Sequence, residues 1–187
     1  MDVKEAINKR RAYRALEKAD IDKSLINELV RSAQLAPSCF NNQPWRFVFA
    51  HGREVLERLY TAMSRGNEWV FNSSMVVAVF SEPEKDCRIK GREYFLFDTG
   101  IAVGFILLRA TELGMVAHPI AGFNESEVKK ILQIPDNMTL ITLVIVGRHS
   151  KSPVDHMSDR QKEDEKNRPE RLPLNEIYCI DSYREKG

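Results

Sequence analysis

The sequence predicts one domain in which helices alternate with a buried β-sheet, and three observations carry that prediction. Ser74 to Phe80 and Thr139 to Gly147 are continuous apolar runs of strand length, as expected of strands covered on both faces. The segments around them place apolar residues at helical spacing. Arg92 to Leu113 is a long helical stretch, apolar nearly all round, which must be covered on more than one side. At 187 residues and 43% hydrophobic, the chain suffices for one well-buried core, and a single domain, 1–187, accounts for it.

Asp2 and Glu5 have capping-box spacing ahead of Ala6 and Ile7, which predicts a first helix to about Arg11. A second starts near Asp22, with Ile21 and Ile26 placed as a hydrophobic staple. Leu25, Leu29, Ala33 and Ala36 recur on its inner face until Pro37 stops it. Arg46 to Ala50 reads as a short strand, and Gly52 to Ser64 returns to helical spacing through Val55, Leu56, Leu59, Tyr60 and Met63. Beyond the first buried strand and the long helix, Asn124 and Glu127 cap a short helix through Val128, Ile131 and Leu132. Thr139 to Gly147, rich in β-branched residues, is the second buried strand. From about 148 to 170 the chain is charged and aperiodic, a solvated or partly helical connector. Apolar residues return in a C-terminal arm, 171–187, which suits docking on the chain's own sheet edge or on a partner subunit.

Charge and composition exclude several classes. A formal net charge of +1 argues against nucleic-acid or polybasic membrane binding. The apolar run Tyr94 to Leu108 carries Asp98 and is too short to cross a bilayer, and Met1 to Glu5 has no apolar core of a signal peptide. Cys39, Cys87 and Cys179 are far apart and without CxxC spacing; they fit a reducing cytoplasm and leave open a reactive thiol or inert packing. The expectation is a soluble cytoplasmic domain. There is no G-x-G-x-x-G, Walker A or G-x-S-x-G motif. His51, His118, His149 and His156 lack metal spacing, and no carboxylate pair stands out for acid–base work. If the chain is an enzyme, a bound cofactor must supply the reactivity.

Two features suggest a ligand. Ala36 to Phe47 packs Ser38, Asn41, Asn42 and Gln43 between Pro37 and Pro44, offering donors and acceptors on a stiffened backbone to a flat, polar-edged ligand. Arg10, Arg11 and Arg14 end the first helix, where the macrodipole alone favours cations at the first two. Arg168 and Arg171 flank Pro169 far along the chain. If the two clusters converge they make a dianion pocket, because guanidinium forks match phosphate oxygens.

Arg10-Arg11-Ala12-Tyr13-Arg14, followed by Pro37-Ser38-Cys39-Phe40-Asn41-Asn42-Gln43-Pro44-Trp45, resembles the opening of the FMN-dependent nitroreductase family. Gly66-Asn67-Glu68-Trp69 resembles that family's G-N-x-W element, Leu113 to Phe123 its flavin-face loop, and Arg171-Leu172-Pro173-Leu174 its C-terminal arginine. The ordered set covers nearly the whole chain.

The resemblance implies an α+β fold: a three-layer sandwich, with a mostly antiparallel sheet between helices and the long helix at a homodimer interface holding two FMN sites. By carry-over, Arg10 and Arg171 would hold the phosphate, with Arg11 and Arg168 beside them. Arg14 would reach the pyrimidine edge, and Asn67 the ribityl chain or that edge. Pro37, Ser38, Cys39, Asn41 and Gln43 would line the site from the other subunit. Pro119, Ile120, Ala121 and Gly122 would lie along the isoalloxazine, offering backbone N–H groups near N5. The implied activity is ping-pong hydride transfer from NADH or NADPH, through flavin N5, to a nitroaromatic, quinone or similar conjugated acceptor.

The sequence also departs from the family. Ala12 stands where a phosphate-binding serine is usual, and one lost neutral hydrogen bond costs about 0.5–1.5 kcal/mol. Cys39 replaces a second serine, and Ala121 takes a position where some members carry glutamate. The short length points to a missing covering insertion and an open pocket. Trp45 and Trp69 read as packing anchors and Phe40 as a pocket wall. Phe95, Phe97 and Phe105 read as core or interface, and His118 as structural or facing the flavin. Asp98 needs a partner. A non-catalytic flavin-binding or sensing protein, and same-fold dehalogenase or oxygen-dependent chemistry, are the alternatives.

Overall fold

The computed structural model describes residues 1–152 and 154–183; residue 153 of the connector and 184–187 of the arm lie outside the described residues. Its centre is two antiparallel strands, β3 (Met75–Ser81) and β7 (Thr139–His149), in the order β2–β3–β7 with β2 spanning Trp45–Ala50. A further strand, β6 (Val116–Ile120), pairs with β7 from Val116 opposite Gly147 to Ile120 opposite Leu143. The two-residue β1 (Leu16–Glu17) pairs with the end of β7. Every pairing is antiparallel.

Alternation along β3 assigns its side chains to two cores. Val76, Ala78 and Phe80 pack on one face with α3 (Arg53–Tyr60), α5 (Glu125–Leu132), Trp69 and Val70. Met75, Val77 and Val79 pack on the other with α2 (Lys23–Gln34) and α4 (Tyr94–Glu112). All seven residues of β3 are buried, which is why its sequence is continuously apolar rather than alternating. The three-layer α+β sandwich is therefore present: helices, a central antiparallel sheet, helices.

Local chemistry sets the ends. Asp2, Asp22 and Asn124 each accept a hydrogen bond from the backbone N–H three residues on, as N-caps of α1 (Val3–Lys9), α2 and α5. α1 stops at Lys9 rather than Arg11, because Arg168 donates to the carbonyls of Asn8 and Arg10 at 2.5 and 2.8 Å. α3 stops at Tyr60 rather than Ser64, because the next turn is recruited elsewhere: Ser64 N–H donates to Gly122, and Asn124 N–H to Ala62. Gly114, at φ +74°, ends α4 while Met115 N–H closes back on Ala110. The connector is partly helical, with α6 (Asp159–Lys166) started by a full capping box of Ser158 and Gln161.

The 19 residues of α4 are long and apolar enough to span a membrane by length and composition, contrary to the expectation from the shorter run. Here its inner face, Phe95, Asp98, Thr99, Ala102, Val103, Ile106 and Ala110, is buried in the fold. The outer face is not covered within one chain. Leu96 is 48% exposed, Phe97 65% and Phe105 39%, and a Cβ built at Gly100 or Gly104 meets open space. The C-terminal arm is likewise uncovered. It includes a short helix, α7 (Leu174–Ile177), and leaves Leu172, Leu174, Ile177, Tyr178, Ile180 and Tyr183 exposed.

Candidate functional site

The residues singled out from sequence fall into two groups. The first gathers around the end of α1. Arg10 is half-buried, and both this burial and the charges of Arg168 and Arg171 lower its proton affinity. Arg10 and the Arg168–Arg171 pair, which starts 158 residues on, thus meet in space, as Arg168 shows by donating to the Arg10 carbonyl. Among the described residues, no carboxylate lies within salt-bridge distance of Arg10, Arg168 or Arg171. Such a cluster of like charge, without an acidic partner, is suited to a dianion.

Arg14 and His118 extend this group. The charges of Arg14 and Arg10 reach the imidazole, which is buried against Trp69 at 4.8 Å between ring centroids. His118 Nδ1–H donates to the Tyr13 carbonyl at 3.1 Å, so the ring ties the Arg10–Arg14 segment to β6. This is the structural role among the two open to it. Burial, first, and then the nearby arginines push its pKa down to about 4. The unfolded chain then binds a proton at this site from its ordinary 6.5 downward and the folded chain does so only below about 4. Stability should therefore fall as pH drops through that window, by about 3 kcal/mol in full. Urea unfolding at pH 7 and at pH 4.5 measures it, and His118→Asn, which keeps the donor to Tyr13, should remove most of the difference.

Asn67 acts on the same group from below. Its Nδ2 donates to the Gly122 carbonyl at 2.8 Å and its Oδ1 accepts from Trp69 Nε1 at 3.3 Å. A Cβ at Gly122 would lie 2.4 Å from that Nδ2, so glycine is required for the amide to hold this segment. Pro119, Ile120, Ala121 and Gly122 thereby run from the edge of β6 to the turn pinned by Asn67. Pro119 is compatible with a strand that pairs on β7 alone; reading 113–123 as a loop missed β6 for this proline.

Arg11 turns its donors to α6. It lies over the Tyr13 ring at 4.5 Å and donates to the carbonyls of Asp164 and Asn167, at the end of α6. In this structure its donors hold α6 in place. Glu165 on α6, which no sequence pattern marked, accepts from Arg14 N–H at 2.7 Å and lies 3.6 Å from His149. His149 in turn stacks on Tyr13 at 3.7 Å. The connector is thus docked on the arginine segment rather than solvated throughout.

The second group is the α2–β2 loop. Phe40, Asn41 and Gln43 have positive φ (48°, 60° and 49°), and the Ser38 hydroxyl accepts from Gln43 N–H at 2.9 Å. Positive φ at a phenylalanine is costly, and strained backbone of this kind concentrates at functional loops. Phe40 is 90% exposed, so it lines no pocket within one chain. Pro37, Ser38 and Cys39 share a shallow groove with Tyr94, Phe97, Asp98 and Ile101, at the uncovered face of α4. Asp98 finds its partner here: it accepts from Cys39 N–H at 2.7 Å. Cys39 itself is neither inert packing nor a lone thiol. It is bonded to Cys87, 48 residues away, a pairing that sequence spacing could not reveal. Among the described residues, no hydrogen bond or ion pair links this loop to the arginine group.

The comparisons with known proteins agree with this architecture. The family model described as "Nitroreductase family" matches residues 7–68 and 63–148. A Methanothermobacter thermautotrophicus protein with NADH dehydrogenase and NAD(P)H nitroreductase in its name is 27% identical over 158 residues, covering 82% of this chain and 80% of its own. The crystal structure of a nitroreductase family protein from Clostridium novyi NT is 31% identical with a TM-score of 0.76, covering 81% of this chain and 87% of its own. A crystal structure described as an oxidoreductase containing FMN is 26% identical with a TM-score of 0.85, over 100% of this chain and 94% of its own. With the matched residues spanning both strands of the sheet centre, the arginine segment and the Asn67–Gly122 contact, the chain belongs to the nitroreductase family.

Proposed function

We propose that this chain is an NAD(P)H-dependent flavin oxidoreductase that binds FMN between two copies of itself. The observation that carries the reading is the cluster of Arg10, Arg168 and Arg171, without an acidic partner among the described residues, beside a β6 turn shaped by Asn67 and Gly122. These residues fit a phosphorylated flavin: the arginines take its phosphate, Arg14 its pyrimidine edge, and the Pro119–Gly122 backbone its ring. When bound, the flavin supplies hydride transfer between a nicotinamide and a conjugated acceptor such as a nitroaromatic or a quinone. Asn67 acts through Gly122 and so positions the turn rather than the reaction. One structural relative is described as containing FMN, which supports the cofactor, and one sequence relative is named for NAD(P)H, which supports the donor.

Pairing of two copies is supported by what one chain leaves open. The outer face of α4, the Pro37–Gln43 loop beside it and the apolar C-terminal arm are all uncovered. A second copy seated on α4 would cover that face and bring the strained loop of one chain toward the arginines of the other. The purified protein should be yellow. Adding NADH or NADPH without oxygen should bleach its visible absorption, and adding a quinone should restore it. A flavin that stays oxidised with both donors leaves only a flavin-binding protein, and a chain that remains colourless after reconstitution with FMN removes the flavin reading altogether.

A further inference from the structure

At the N-terminal end of α4, two sulfurs and two carboxylates meet. Cys39 and Cys87 are joined, with Cα atoms 6.1 Å apart, and this bond ties the α2–β2 loop to the segment ahead of the β4–β5 hairpin (Arg88–Ile89 and Arg92–Glu93). Cys39 Sγ, Cys87 Sγ and an Asp86 carboxylate oxygen all lie within 4.8 Å of one another. Asp86 Oδ1 accepts from Asn42 Nδ2 at 3.2 Å, Asp86 Oδ2 is closed off from solvent, and the Asp86 and Asp98 carboxyl groups lie within hydrogen-bond reach of each other. Asp98, 3% exposed, completes the group, its carboxyl facing Asp86. Among the described residues, no lysine, arginine or histidine forms an ion pair with Asp86 or Asp98.

A disulfide that served only as a tether would not need this surrounding. Two carboxyl groups that face each other beside a neutral disulfide repel when both are ionised. They become an asset when a cation is present. Reduction would place two thiols beside them, and thiolate with carboxylate is a donor set that suits zinc among the common divalent metals. Tetrahedral zinc, with bonds of about 2.0–2.3 Å, sets neighbouring ligand atoms about 3.5 Å apart, so the present grouping needs side-chain rotation and no refolding.

We propose that reduction of the Cys39–Cys87 disulfide by a dithiol converts this cluster into a zinc site, with Cys39 Sγ, Cys87 Sγ and Asp86 as ligands and water in the fourth position. The exchange is balanced: the external dithiol becomes a disulfide, and the two cysteines each gain a hydrogen. Zinc then displaces both thiol protons as it binds. Asp98 holds the Cys39 backbone and adds negative charge as a supporting residue. The loop carrying Phe40 and Asn41 would stay anchored in both states, by a covalent bond when oxidised and by the metal when reduced. This inference does not rest on the flavin reading.

The test uses the whole protein, stripped of metal and reduced with a phosphine, with Co²⁺ as the probe. One Co²⁺ per chain should bind, with thiolate-to-metal charge transfer in the near ultraviolet and the visible bands of tetrahedral cobalt, and equimolar Zn²⁺ should abolish both. The oxidised protein should show neither. Asp86→Asn should weaken zinc at least about tenfold in competition with a chromophoric chelator, Cys87→Ser should lose the charge-transfer band, and Cys179→Ser should change nothing. Reduced protein without these bands overturns the proposal, as does a band that survives in Cys87→Ser or in the oxidised protein. Should Cys87→Ser fail to fold by circular dichroism, alkylation of the reduced parent decides: zinc must protect Cys39 and Cys87 together, and equal labelling with and without zinc is a negative.

Discussion

Arg10→Ala should weaken FMN binding about 10- to 150-fold while leaving the flavin-free protein as stable as the parent or more so. The two halves of this result have one cause. In the flavin-free chain the Arg10 guanidinium is partly desolvated and repelled by Arg168 and Arg171, without an ion-pair partner among the described residues to offset either cost. Removing it relieves a repulsion. With the phosphate in place the same charge forms hydrogen bonds to an anion, for which about 1.5–3 kcal/mol is typical, and this is the stated range in affinity. Flavin fluorescence titration reads the first half and the urea midpoint of the apoprotein reads the second. Arg168→Ala makes an instructive control. Its guanidinium also closes the end of α1 through the carbonyls of Asn8 and Arg10, so its loss should lower affinity and apoprotein stability together. Arg171→Ala should follow Arg10→Ala, because among the described residues its side chain makes no ion pair. Unchanged flavin affinity in both Arg10→Ala and Arg171→Ala would mean that the phosphate lies elsewhere.

Much of the fold was legible because it follows from short-range pattern. The β3 run is apolar throughout because both its faces are covered, and Asp2, Asp22 and Asn124 mark helix starts because their side chains reach a nearby N–H. The errors share a different cause. α1 and α3 both end early because groups distant in sequence, Arg168 and Gly122, take up backbone partners that local spacing had assigned to the helix. β6 was hidden by Pro119, and β1 by having two residues. Such short strands exist only because β7 is 11 residues long and offers its edge to them.

The site divides in the same way. Arginines at both ends of the chain invited the idea of one anion pocket, and the fold brings Arg10, Arg168 and Arg171 together. Composition could not distinguish Arg11 from its neighbours. Only the docked α6 shows that its donors are spent on the Asp164 and Asn167 carbonyls. Nor could it pair Cys39 with Cys87, or mark Glu165, an acid in a hydrophilic run whose partners, Arg14 and His149, come from other parts of the chain. What sequence cannot express is which of several similar side chains the tertiary fold has already occupied.

Phe97→Asp should convert the proposed dimer into monomers at micromolar concentration and release the flavin with it. Phe97, 65% exposed, stands in the first turn of the uncovered α4 face, beside Leu96, Ile101 and the Pro37–Cys39 loop. A carboxylate there costs nothing in a monomer, where it stays in water. In a dimer it would be buried without a cation, and such burial costs several kcal/mol before its pKa adjusts. Gly104→Leu tests the same surface by volume instead of charge. A lone helix gains from the change, since glycine is about 1 kcal/mol worse than alanine and close to that against leucine. Beyond Gly104 lies open space, so the protomer has no objection to the larger side chain. A second α4 packed against that smooth strip would have to move away. Both variants should therefore keep or gain protomer stability by circular dichroism while sedimentation shows half the mass. Flavin must leave in each case, because the Pro37–Gln43 loop and the arginine cluster would then belong to separate molecules. A variant that sediments as a monomer and still retains FMN as tightly as the parent would show that one chain completes the site alone.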